Sequence, residues 1–127
     1  MDQRIDGRSC LIVEDESLIA MLIEEAVVEM GLTVVGPASH VDRALGLLEN
    51  GPSLACAVLD INLAGELVEP VARILAERGI PFIYVSGYGD SELSEGLPSA
   101  PVLEKPFLIE QLQAAIRKVL STVAPGG

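Results

Sequence analysis

Short apolar runs rich in Val, Ile and Leu alternate along this chain with longer stretches whose apolar positions recur at helical spacing, the patterns of buried strands and amphipathic helices respectively. Five rounds are visible, which predicts a parallel sheet with crossover helices, an α/β fold. The predicted strands run from about Ser9 to Val13, Thr33 to Val35, Leu54 to Leu59, Phe82 to Val85 and Val102 to Glu104. The first helix runs from Ser17, placed at its N-cap, to Met30, with Leu18, Met21, Leu22, Ala26 and Val27 as its apolar face and Gly31 as its stop. Gly36-Pro37 closes the second strand, and the second helix spans about Val41 to Glu49 before the break at Asn50-Gly51-Pro52. The third, about Leu67 to Arg78, carries Pro70 in its first turn, where a missing N–H costs little. Gly87, Gly89, Gly96 and Pro98 crowd the stretch after the fourth strand, so a fourth helix there is expected to be short or mobile. A last amphipathic helix spans about Leu108 to Leu120.

The predicted strands carry polar residues at their ends: Glu14-Asp15 after the first, Asp60 after the third, Ser86 after the fourth and Lys105 after the fifth. In an open parallel sheet the carboxyl ends share one edge, where ligands bind. Three carboxylates meeting there repel one another and resist ionisation unless a hard divalent cation, Mg²⁺ above all, sits among their oxygens. A hydroxyl and an ammonium opposite the metal complete a cradle for phosphoryl oxygens. Taken singly, Asp60 reads as a turn residue, Glu14-Asp15 as an acidic helix entry, Ser86 as a strand-end hydroxyl and Lys105 as a surface cation; their shared edge favours the phosphorylation site.

Composition narrows the field. The 127 residues fit one domain able to bury its own core, half of them are hydrophobic and 3% aromatic, so the core must be aliphatic. A formal charge of -11 repels phosphate backbones, and direct nucleic-acid binding is not expected. Cys10 and Cys56 lie inside strand candidates and read as small hydrophobes, and His40, with no His or Cys nearby, as a surface or capping residue. The N-terminal segment lacks an apolar signal core and no apolar stretch is long enough to span a bilayer, so the expectation is a cytoplasmic protein without membrane contact.

The strings IVEDE, LDINL, YVSGYGD and LEKPF, in that order and spacing, resemble the receiver domain of bacterial two-component response regulators over almost the whole chain. The resemblance implies a flavodoxin-like (βα)5 sandwich with strand order 2-1-3-4-5. It implies one receiver domain over residues 1–127, with a core from about 8 to 121 and no output domain. Asp60 then resembles the phosphoacceptor, and Glu14, Asp15, Asp60 and the backbone carbonyl of Asn62 the Mg²⁺ ligands. Lys105 and the Ser86 hydroxyl would hold phosphoryl oxygens, Gly87 would leave the approach open, and a cis Lys105-Pro106 bond would help aim the lysine inward.

Departures from the family pattern matter as well. The acidic pair is Glu-Asp rather than Asp-Asp, no Met-Pro step follows Asp60, and Val102 stands where many receivers carry an aromatic switch. These features resemble a subgroup, often stand-alone, with a Thr/Ser-Gly-Tyr motif after strand four, and make Tyr88 or Tyr84 the candidates to report phosphorylation alongside Ser86. The implied partners are a sensor histidine kinase or histidine phosphotransfer protein and a downstream protein, contacted through the segment from Ser86 to Leu120. The chain is thus expected to be a phosphoacceptor signalling domain rather than an enzyme, capable of phosphorylation by small donors and of losing the group itself. A Mg²⁺-dependent aspartyl-phosphate phosphatase is the alternative, against which stands Asn62, where such enzymes commonly place a general acid or base. An FMN or nucleotide binder lacks its Gly-rich phosphate loop after the first strand.

Overall fold

A computed structural model describes residues 8–87 and 96–121. The apolar runs form five parallel strands of one sheet, β1 (Ser9–Val13), β2 (Thr33–Ala38), β3 (Cys56–Asp60), β6 (Phe82–Ser86) and β7 (Val102–Glu104), in the order β2-β1-β3-β6-β7. Counting only these five, the order is 2-1-3-4-5, as expected, and the sandwich is the flavodoxin-like one. Helices α2 (Val41–Asn50) and α3 (Glu69–Glu77) pack with one face, while α1 (Ser17–Glu29) and α4 (Ile109–Ser121) pack with the other.

Strand alternation divides the core cleanly. Leu11, Val13, Ala57, Leu59, Phe82 and Tyr84 point to α2 and α3, and Cys10, Ile12, Cys56, Val58, Ile83 and Val85 to α1 and α4. Cys10 and Cys56 are buried register partners on adjacent strands, both free thiols, and the contact with Cys56 followed by burial pushes the Cys10 thiol well up. At the seam between α1 and α4, buried Gln113 donates from Nε2 to the carbonyl of Ala26 at 3.1 Å, satisfying an acceptor in the last turns of α1.

Several boundaries differ from the sequence reading. Gly36-Pro37 does not close β2; the strand continues to Ala38 through a bulge. Gly36 has φ +99°, and a Cβ there would stand 2.8 Å from the Ile12 carbonyl oxygen and from the Ala38 nitrogen. Only glycine fits that close approach, and β2 is an edge strand, so Pro37 leaves no ladder donor missing on a central strand. The bonds Gly36-Pro37 and Lys105-Pro106 are both cis. Between β3 and α3 the chain adds a hairpin, β4 (Asn62–Leu63) with β5 (Glu66–Leu67), so α3 starts at Glu69 rather than Leu67. Its turn places Ala64 at φ 49° and Gly65 at φ 95°, an Ala-Gly pair that carries a weaker hairpin signal than Asn-Gly.

Helix α1 is rotated from the expected face. It buries Ala20, Ile23, Ala26 and Val27, while Leu18, Met21 and Leu22 are exposed, Leu18 to 76%. Apolar residues run nearly round this helix, so period alone did not fix which stripe faces the sheet. Its N-cap is Glu16 rather than Ser17. His40 does occupy the N-cap position of α2, but its side chain makes no cap bond; Val41 N–H donates instead to Glu66 Oε1 at 3.4 Å. The expected fourth helix falls in residues 88–95, outside the described residues.

Candidate functional site

The carboxyl ends of β1, β3, β6 and β7 bring the polar strand ends to one place. Backbone bonds set them there: Glu14 N–H donates to the Ala38 carbonyl at 2.9 Å, Ile61 N–H to the Val85 carbonyl at 3.1 Å, and Lys105 N–H to the Ser86 carbonyl at 2.8 Å. The bulge at Gly36 therefore has a local purpose, since it carries Ala38 to the position that fixes Glu14.

Asp60 ends the central strand and is 3% exposed; Glu14 is 2% exposed. Asp60 Oδ1 accepts the Asn62 backbone N–H at 3.0 Å, and Oδ2 lies 3.2 Å from Lys105 Nζ. The same ammonium stands 3.2 Å from Glu14 Oε1 and 3.4 Å from Glu16 Oε1. Glu14 Oε2 accepts the Glu16 N–H at 3.1 Å and a bond from Lys105 at 3.3 Å. Glu14 Oε1, although close to Lys105, accepts no hydrogen bond from the described residues and is buried.

Two buried carboxylates around one ammonium shift one another. Burial, reinforced by the Asp60 carboxylate, pushes Glu14 up to about 7, with the Glu16 N–H and Lys105 pulling the other way. Burial also raises the Asp60 carboxyl, against the opposing effect of Glu14, Lys105 and the Asn62 N–H. Lys105 loses some basicity to burial, but Asp60 and Glu14 outweigh it and hold the ammonium above its ordinary value.

The donor set fits a hard divalent cation. Glu14, Asp15 and Asp60 each offer an oxygen, all within 4.8 Å of one another, and the undonated Glu14 Oε1 is a buried anionic ligand without a directional partner. Oxygen-only ligands with no sulfur or imidazole suit Mg²⁺ rather than zinc.

The remaining expected residues are placed unevenly. Ser86 is buried at the end of β6, its hydroxyl donating to the Gly87 carbonyl at 3.3 Å. Asn62 opens β4, its Oδ1 accepting the Gly65 N–H at 2.8 Å, a turn-stabilising role that occupies the side chain. Tyr84 is buried against α3, with its hydroxyl donating to the Pro98 carbonyl at 2.6 Å; Tyr88 lies outside the described residues. Val102 is half-exposed on the edge strand. Glu16 was not anticipated at the site. The third acid of Glu14-Asp15-Glu16 was its only signal, and its contact is made by the Lys105 side chain, which comes from beyond β7 on the far edge of the sheet. Among the described residues, the exposed large apolar side chains concentrate on α1, as Leu18, Met21, Leu22 and Val28, more than on the segment from Ser86 to Leu120, which shows Val102 and Leu108. No helix among the described residues is long and apolar enough to cross a membrane.

No family model matches the chain. It is 38% identical to SdrG from Sphingomonas melonis Fr1, with a TM-score of 0.79 over 89% of this chain and 96% of that one. A response regulator receiver protein from Sinorhizobium medicae WSM419 gives a TM-score of 0.79 at 28% identity, over 90% of this chain and 94% of that one. The transcriptional regulatory protein PdtaR of Mycobacterium tuberculosis is 30% identical over 119 residues, which is 90% of this chain, and the chain spans 57% of PdtaR's length.

Proposed function

The chain belongs to the response regulator receiver family, and we propose that it accepts a phosphoryl group on Asp60 from a phosphohistidine of a sensor histidine kinase or histidine phosphotransfer protein and signals through protein contacts. The observation that carries this reading is the Asp60 carboxylate itself, buried at the end of the central strand, 3.2 Å from the Lys105 ammonium and grouped with Glu14 and Asp15.

Each residue has a definable part. An Asp60 oxygen forms the new P–O bond as the P–N bond of the donor breaks, the electron pair returning to an imidazole that carries a proton on its other nitrogen and leaves neutral. The Asn62 N–H holds Oδ1 and so fixes the plane of the attacking carboxylate. Lys105 gives one of its donors to a phosphoryl oxygen, and the Ser86 hydroxyl turns from the Gly87 carbonyl to another. Glu14, Asp15, Asp60 and the Asn62 carbonyl would hold Mg²⁺, which when bound offsets charge between the carboxylate and the phosphoryl oxygens. Glu14, Asp60 and Ser86 are buried, which strengthens the charge interactions among them.

The test is intact mass after incubation with acetyl phosphate and Mg²⁺, for the native chain, Asp60→Asn and a chelated control. The expected result is one hydroxylamine-sensitive phosphoryl adduct that disappears with Asp60 or with the metal. An adduct that persists in Asp60→Asn would remove Asp60 from the role.

A further inference from the structure

Lys105 touches three carboxylates, and an ammonium has three donors. Its donor capacity is matched in the phosphoryl-free state, so a phosphoryl oxygen can gain a bond from Lys105 only if one carboxylate gives its place up. The three are unequal in their ability to do so. The Glu14 and Asp60 side chains are 0% and 3% exposed and are pinned by the Glu16 and Asn62 backbone N–H groups. In the metal-free site, releasing either from the ammonium would leave a buried charge without its partner, a costly arrangement; a cation held by Glu14, Asp15 and Asp60 would fix those two further, and Glu16 is no part of that donor set. The Glu16 side chain is 60% exposed and would move into water.

We propose that Glu16 is a positioning residue for this site: its carboxylate holds Lys105 at the mouth and is the partner the incoming phosphoryl group displaces, so that it restrains reaction with small anionic donors. The inference rests on Asp60 being the phosphoacceptor. The local chain supports it, because Glu16 is tethered through its N–H to Glu14 Oε2 while it caps α1. Its backbone is thereby fixed at the site and only the carboxylate is free to swing. An anionic donor approaching Asp60 meets that carboxylate as a repulsive charge and as a competitor for the ammonium at once.

The experiment compares Glu16→Gln and Glu16→Asp with the native chain in the rate of Asp60 phosphorylation by acetyl phosphate, at low and high ionic strength. Removing one unit charge a few ångström from the reacting oxygens is expected to raise the second-order rate constant about fivefold at low salt. The gain should shrink as salt screens the native charge, and Glu16→Asp should restore much of the restraint. Equal rates and equal salt dependence would overturn the inference. A second measurement, on the metal-free protein without any donor, is the ¹⁵Nζ resonance of Lys105 and the exchange rate of its ammonium protons. Glu16→Gln should shift the resonance and speed exchange, whereas unchanged signals would sink the hold on Lys105. If no variant forms an adduct that depends on Asp60, the phosphoacceptor reading fails, and the Lys105 signals still decide whether Glu16 grips the ammonium.

Discussion

Asp60→Asn is expected to stabilise the metal-free protein while abolishing its chemistry. Glu14 is pushed from its ordinary 4.5 up to about 7, and at about 1.4 kcal/mol per decade, keeping it ionised above that point costs about 3 kcal/mol at most. Burial is the first cause and the Asp60 charge only a further one, and water reaches the mouth of the site, so the share relieved by removing Asp60 is about 1 kcal/mol. Against that gain stands the loss of the Lys105–Asp60 ion pair at 3.2 Å, whose charge helps hold the ammonium, but the lysine is not left without partners. Lys105 keeps Glu14 at 3.2 Å and Glu16 at 3.4 Å, and an asparagine oxygen still accepts the Asn62 N–H. For a domain of this size about 1 kcal/mol is about 3–5 °C in thermal midpoint. The sign with pH follows from the raised carboxyls: their protonated forms suit the fold, so the native chain keeps that stability below the ordinary carboxyl range and loses it as pH rises through about 7. The variant's advantage should therefore be larger at about pH 8 than at about pH 5. Thermal unfolding followed by circular dichroism in EDTA, then in millimolar Mg²⁺, measures it. Mg²⁺ should raise the native midpoint more than the variant's, because binding to the folded state alone adds stability by mass action. A lower midpoint for Asp60→Asn in EDTA at alkaline pH would refute the electrostatic reasoning.

Gly36→Ala should destabilise the fold by at least about 2 kcal/mol, since it sets a Cβ at 2.8 Å from backbone atoms at φ +99°; with Glu14 displaced through Ala38, Mg²⁺ affinity measured by calorimetry should fall too. Tyr84→Phe should cost about 1 kcal/mol in urea unfolding through the lost bond to the Pro98 carbonyl. Burial pushes the Tyr84 hydroxyl up to about 12 against the opposing Arg73 charge, so the native chain loses stability as pH climbs from about 10 toward 12, and that alkaline limb should flatten in the variant.

The parallel sheet and the residues at its edge were legible because they depend on features that sequence displays directly, whereas the strand order 2-1-3-4-5 was implied only by the resemblance to receiver domains. Strands bounded by Gly and Pro, alternating with amphipathic segments, admit few parallel arrangements, and the carboxyl-end rule then gathers Glu14, Asp15, Asp60, Ser86 and Lys105 without any knowledge of contacts. What escaped depends on one element meeting another. The rotation of α1 was hidden because apolar residues nearly encircle that helix, and the choice between the Leu18 and Ile23 faces is made by packing against the sheet and α4. Gly36-Pro37 looked like a stop because both residues usually are one; only the neighbouring Ile12 carbonyl shows that the glycine admits a bulge. Glu16 belongs to the same class, being an ordinary acid at a helix entry until β7 brings Lys105 beside it.

The lysine of the site hangs from the least secured strand of the sheet. β7 has three residues, lies at the edge, and among the described residues pairs only with β6, through Tyr84, Val85 and Ser86. Opening of that single ladder needs no other strand to part, so its amides should exchange with deuterium through a local fluctuation of lower free energy than global unfolding, unlike those of β3, which is paired on both sides. Each such excursion takes Lys105 away and leaves Glu14 and Asp60 without their cation. The working lifetime of the site is then shorter than the lifetime of the fold, and anything that clamps β7, a partner laid against its free edge or a group that bridges Lys105 to Asp60, acts first on the shorter of the two.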